Sequence, residues 1–286
     1  MKTDSEPVLA RGEALTQILA EAESGELVFS THADVALRVR LALEDPKLHL
    51  EGVVRLVQAE PLLAARVVAL ANSVAFNRSA HSVDEVKSAV SLLGFQLVRL
   101  LATALIMRQM LGSSSNDRQL GMAQQLWHHS VNIAALAHVL ARQLSTQAPD
   151  IALFGGMVHE VGGFYLIARA SAYPGLLADP GQPSWSKAEA ARLGDAVLRA
   201  LQVPAPLRVA IEAAPRARLA LPPVTLEEIL FLAHHLSPEE DPLTAGANAD
   251  TNEAEIRRLV TADARLTVLV RESQRELESL IAALQL

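Results

Sequence analysis

A chain of 286 residues that is half hydrophobic has enough apolar material for a substantial core, which excludes disorder. It carries no cysteine, so disulfides, thiolate nucleophiles and zinc–sulfur sites drop out together. A net charge of −7 and only 3% aromatic residues argue against a broad phosphate-binding surface and against a base-stacking platform.

Apolar residues recur at helical spacing along nearly the whole chain, and short alternating runs rich in Val, Ile and Thr are almost absent, so the chain is predicted to be all-α. The opening "MKTDSEPVLARGEA" has acids where a secretory signal has a basic start and an apolar block, and it leads into a helix near 7–23. Helices near 33–43 and 50–58 follow. Pro61 suits the first position of a helix over 61–74, where its missing N–H costs nothing. "SVDE", Ser82 to Glu85, reads as a capping box that opens a helix over 83–93, which Gly94 closes before another over 96–111. The polar stretch "GSSSND" (112–117) marks a border between two helical halves.

The second half is predicted as helices near 118–144, 150–160, 163–171, 187–201, 204–213 and 225–236, with start signals at "SKAE" (Ser186 to Glu189) and "TLEE" (Thr225 to Glu228). A last helix spans 252–285. On it Ile256, Leu259, Asp263, Leu266, Val270, Ser273, Leu277, Leu280 and Leu284 follow a 3-4 spacing, a heptad seam with two polar interruptions. Such a seam packs on its own bundle or makes a contact with a partner or in a homodimer. No apolar run approaches the roughly 18 uninterrupted residues of a membrane span. The expectation is a soluble, cytoplasmic protein without a membrane partner. "SVNIAALAHVLARQL" has the look of part of a helix-turn-helix, yet it is read as core.

Residues 58–105 contain an acid-Pro-Leu opening at Glu60–Leu62, "ANS" at Ala71–Ser73 with Phe76 behind it, and "AVSLLG" at Ala89–Gly94 running into "VRLLA". "LWHHS" (Leu126–Ser130) and "GMVHEVG" (Gly156–Gly162) follow in order. This series resembles the HDOD family, the HD-related output domains of bacterial signalling proteins. The resemblance implies a two-lobed helical bundle of the HD-like superfamily used as a regulatory module. It divides the chain into an N-terminal helix (1–24), an HDOD-like domain (25–236, with lobes about 25–112 and 118–236), and a linker with the C-terminal helix (237–286).

The resemblance also frames the chemistry of "GGMVHEVGG", Gly155 to Gly163. An HD hydrolase holds one or two metal ions with a His on one helix, an adjacent His-Asp pair and further His or Asp residues downstream, because a hydrolytic ion must bind water as well as protein. Here His129, with His128 beside it, supplies the first position and His159 the second, while Glu160 stands where an Asp is expected. The stretch 190–217 offers no further His, leaving Asp195 and Glu212 as the only substitutes. His129 is better explained as a buried, hydrogen-bonded core histidine beside Trp127 than as a ligand. His159 could donate to a carbonyl across the lobes, and Glu160 could accept from the N–H groups of the following helix. His234 and His235 sit near a helix C-terminus, where polar tips are favourable.

On this ligand count the site His129–His159–Glu160 reads as vestigial, with no catalytic residue, no metal and no cofactor expected. Arg66, Asn72, Ser73 and Arg99 form either a structural junction or a small-ligand pocket. There is no Gly-x-Ser-x-Gly elbow, no Gly-Lys-Ser/Thr phosphate loop and no dinucleotide-binding glycine motif. The function expected is a non-catalytic regulator acting on signalling proteins by contact. The alternatives are a metal-dependent HD-type phosphohydrolase and a nucleic-acid-binding regulator with Arg55, Arg66, Arg78 and Arg99 on one face; the net charge weighs against the second.

Overall fold

The computed structural model describes residues 11–25, 27, 31–79, 81–110, 117–177, 187–243 and 251–285. These contain fourteen α-helices, two 3-10 turns and no strand. Helix α1 is Arg11–Glu23, α2 Thr31–Ala42, α3 Leu50–Gln58, α4 Pro61–Ala71, α5 Val86–Met110, α6 Asp117–Leu144 and α7 Pro149–Val158. They are followed by α8 Val161–Arg169, α9 Lys187–Ala200, α10 Ala205–Ala213, α11 Leu226–Leu236, α12 Thr251–Ala262, α13 Ala264–Glu272 and α14 Gln274–Gln285.

Local signals set most of these boundaries. Glu60 caps α4, its carboxylate accepting from the Leu63 N–H with Pro61 in the first turn, and Thr225 with Glu228 forms the predicted capping box of α11. Gly94 breaks α5 with φ 79° and ψ 159°, a region that side chains with a Cβ rarely enter. "SVDE" is not a capping box: the Ser82 hydroxyl bonds Asp84, and the helix starts later, at Val86. "SKAE" begins at Ser186, outside the described residues, as do residues 112–116 of the predicted border.

The single C-terminal helix expected over 252–285 is three helices. Asp263 accepts from the N–H groups of Arg265 and Leu266 to open α13, and Ser273 ends it. The two polar interruptions of the heptad seam are therefore the two breaks. Leu259, expected on the seam, is 56% exposed, and Val260 is buried in its place.

Helices α2, α3 and α4 pack on α5, while α7, α11 and α14 pack on α6. Helix α5 also touches α7 and α8, so one continuous core joins the two groups. The N-terminal helix lies on α9, and Arg169 of α8 donates to Glu21 at 2.7 Å. Two stretches, Val86–Met110 and Pro149–Arg169, are long and apolar enough to cross a membrane despite their polar interruptions. Within the bundle 67% and 78% of their 18-residue apolar windows is buried, so this apolar surface is spent on the core. The helix-turn-helix look-alike belongs to α6, where Val131, Ile133, Ala134 and Val139 are core residues.

Candidate functional site

The glycines of "GGMVHEVGG" serve close helix packing. A Cβ on Gly156 would lie 2.5 Å from the Ala134 Cα, so α7 crosses α6 at backbone contact. That crossing carries His159, which ends α7, to within reach of His129 on α6. Glu160 stands between α7 and α8, and its side chain does not cap α8, contrary to the sequence expectation.

His129 is fully buried, and its Nδ1 lies 2.8 Å from the Glu239 carbonyl oxygen. His159 Nδ1 lies 2.8 Å from the carbonyl of Gly156, inside its own turn and not across the lobes as anticipated. A carbonyl only accepts, so each Nδ1 carries the proton and each neutral ring presents a lone pair at Nε2. Both Nε2 atoms are buried without a hydrogen bond. Burial holds the His129 ring below the ordinary imidazole pKa and the His159 ring well below it, with neighbouring imidazoles adding to the effect.

The third member is His234, read from the sequence only as a helix-end residue. Helix α11 packs on α6 and brings His234 over His129, with ring centroids 5.5 Å apart, while His129 and His159 are 5.4 Å apart. One donor atom from each of the three rings lies within 4.8 Å of the others. His128 points to the surface, and His235 turns away to the carbonyl of Phe231 at 2.8 Å. The Glu160 carboxylate approaches His159 Nε2 at 3.7 Å.

Three converging imidazoles, two of them with Nδ1 tied to a backbone carbonyl, have the donor set and part of the outer support that a zinc-like ion requires. Tetrahedral Zn–N bonds would put the donors about 3.3 Å apart, so the rings would have to close by roughly 1.5 Å at most. The residues therefore fit a single nitrogen-preferring ion such as Zn²⁺, and fit poorly to Mg²⁺, which favours oxygen donors.

The other predicted group does not converge on a pocket. The Asn72 side chain bonds Val83 through both its oxygen and its nitrogen, and the Ser73 hydroxyl bonds the Leu70 carbonyl, so these two form a junction after α4. Arg66 is buried and donates to the Leu284 carbonyl at 2.6 Å, while Arg99 lies by Leu43 and Glu44. With Arg66 spent on α14, the four arginines expected of a nucleic-acid surface do not share an exposed face.

Among known families, the HDOD domain matches residues 29–215, more than half of the chain. The chain belongs to the HDOD family. A proposed metal-dependent phosphohydrolase from Shewanella amazonensis SB2B shares the HDOD chain's fold with a TM-score of 0.66 at 19% identity, covering 96% of this chain and 99% of its own. An HDOD domain protein of unknown function from Geobacter sulfurreducens gives 0.54 at 19% identity, covering 96% and 97%. A proposed signal transduction protein from Marinobacter aquaeolei VT8 gives 0.54 at 19%, covering 100% of this chain and 68% of its own. At such identities the likeness shows the fold alone. No curated protein matches the chain.

Proposed function

We propose that this HDOD protein is a non-catalytic regulator that acts on signalling proteins by contact, and that its HD-type site serves as a histidine pin for at most one ion. The observation that carries the reading is the donor set: three imidazoles converge, from α6, the α7–α8 turn and α11, with the Glu160 carboxylate 3.7 Å from His159 Nε2. Two-metal hydrolytic centres hold their ions about 3.5–4 Å apart and clamp both the attacking and the leaving oxygen. A cluster whose converging donors are three nitrogens favours a single ion over that clamp.

His129, His159 and His234 would hold an ion, which would supply positive charge and link α11 to the α6–α7 crossing. The protein's own groups do the rest. The carbonyls of Glu239 and Gly156 fix the tautomers, and burial keeps two of the rings neutral. Three grooves among the described residues lie along α13–α14, between α2 and α3, and between α10 and α11.

One observation favours the hydrolase as a second reading. Three imidazoles leave open positions on a tetrahedral or five-coordinate ion, and Glu160 stands close enough to take a proton. Elemental analysis combined with a phosphodiesterase assay separates the two. A stoichiometric ion without turnover supports the pin. Turnover abolished by His159→Ala supports the hydrolase.

A further inference from the structure

We propose, resting on the reading of the protein as a contact-signalling module, that the groove between α4 and α6 is a docking site for an amphipathic helix of a partner protein, with α14 as its resident occupant. Helices α4 and α6 lie within the matched HDOD segment, whereas α14 lies beyond it and is seated on both. The occupant shows what the groove accepts. Leu277, Leu280, Ala283 and Leu284 are buried along one side of α14, a single apolar stripe at helical spacing.

The seat is polar at fixed points. Arg66, its guanidinium 5.3 Å over the Trp127 ring, donates to the Leu284 carbonyl near the end of α14, where a cation also meets the negative pole of the helix. The Val74 N–H donates to the Ser279 hydroxyl at 3.0 Å. Glu276 is buried, paired with Arg142, and its Oε1 stands 3.5 Å from His138 Nδ1. His138 Nδ1, Arg142 Nε and Glu276 Oε1 are all buried without a hydrogen bond. A partly satisfied buried charge network fixes register but holds less tightly than apolar packing of the same size. So α14 is held in a specific register by an interface that can be exchanged.

Its tether fits exchange as well. Breaks at Asp263 and Ser273 join α14 to the bundle through two short helices, and among the described residues α12 buries Val260 and α13 buries Leu266 as their apolar anchors. A competing helix would carry leucine-type residues at the 277, 280 and 284 spacing, an acid one position before the first to meet Arg142 and His138, and open C-terminal carbonyls for Arg66.

The absence of cysteine makes the test clean. The probe is a fluorescein-labelled peptide of residues 274–285, read by anisotropy against the full-length chain. Leu280→Ala and, as a milder variant, Glu276→Gln loosen the resident helix while the peptide keeps both native residues. Each is expected to bind the peptide at least tenfold more tightly than the unchanged chain does, with helicity preserved by circular dichroism. A Val74→Cys/Ser279→Cys pair, oxidised, is expected to abolish binding, and reduction to restore it. If neither loosened variant gains affinity, or if the oxidised pair binds as well as the reduced one, the proposal is wrong. Phosphoester turnover by the unchanged chain, scored separately, would instead remove the reading on which it rests.

Discussion

His129 and His159 face each other with ring centroids 5.4 Å apart, each with Nδ1 on a backbone carbonyl and Nε2 buried without a hydrogen bond. Two lone pairs aimed into one buried space, with His234 beside them, predict one Zn²⁺ per chain by isothermal titration. His234→Ala is expected to weaken binding about 100-fold or more, since losing a direct ligand exceeds the roughly 10- to 100-fold cost of losing an outer partner. His128→Ala, at an exposed position one residue from His129, should leave the affinity unchanged.

In metal-free protein the same rings predict a pH dependence. Burial lowers both folded-state pKa values, so below about pH 6.5 the unfolded chain takes up protons that the folded rings refuse. Their contribution is fully present above that pH and is lost as the pH falls towards the lowered folded values, by up to about 1.4 kcal/mol per pH unit for each ring. Urea unfolding between pH 7 and pH 5 measures it. His159→Gln should reduce the slope by about one proton.

Gly156 and Gly155 are adjacent but differ in what a methyl would meet. At Gly156 it strikes the backbone of Ala134, and at Gly155 it meets the Leu230 side chain at 3.3 Å, which can adjust. Gly156→Ala is expected to cost about 3 kcal/mol or more, and Gly155→Ala about 1 kcal/mol, in chemical denaturation. The larger variant should also lose zinc affinity, because the same crossing positions His159.

The C-terminal breaks give a prediction of opposite sign for two architectures. As the cap of α13, Asp263 holds two N–H groups, and Asp263→Ala should destabilise by about 1 kcal/mol, lowering Tm by roughly 2 °C. In one continuous helix the same change would improve helix propensity and raise Tm.

Sequence periodicity located the helices because packing faces repeat at 3.6 residues wherever an element is amphipathic. Gly94, Pro61 and Thr225 were legible because their constraints are local backbone chemistry. Asp263 and Ser273 stood out as polar intrusions, yet a heptad count cannot tell a tolerated polar residue from a cap, because the cap depends on where the chain must turn. His129 and His159 were legible through the motifs around them. His234 was not, since its place in the cluster comes from α11 packing on α6, more than 70 positions from His159 along the chain. Its one sequence signal was a pair of adjacent histidines at the end of an apolar helix, and helix-end electrostatics explained that pair equally well. Likewise, Arg66 and Arg99 looked alike in sequence and part in space, one beneath α14 and the other beside α2.

The central claim is that this HDOD site holds an ion without hydrolysing phosphoesters. Steady-state turnover of a generic phosphodiester and of cyclic dinucleotides, with protein loaded in turn with Zn²⁺, Mn²⁺, Fe²⁺ and Mg²⁺, tests it most directly. The account predicts rates indistinguishable from the His159→Ala variant under every ion. Turnover that saturates with substrate and disappears in His159→Ala would contradict it.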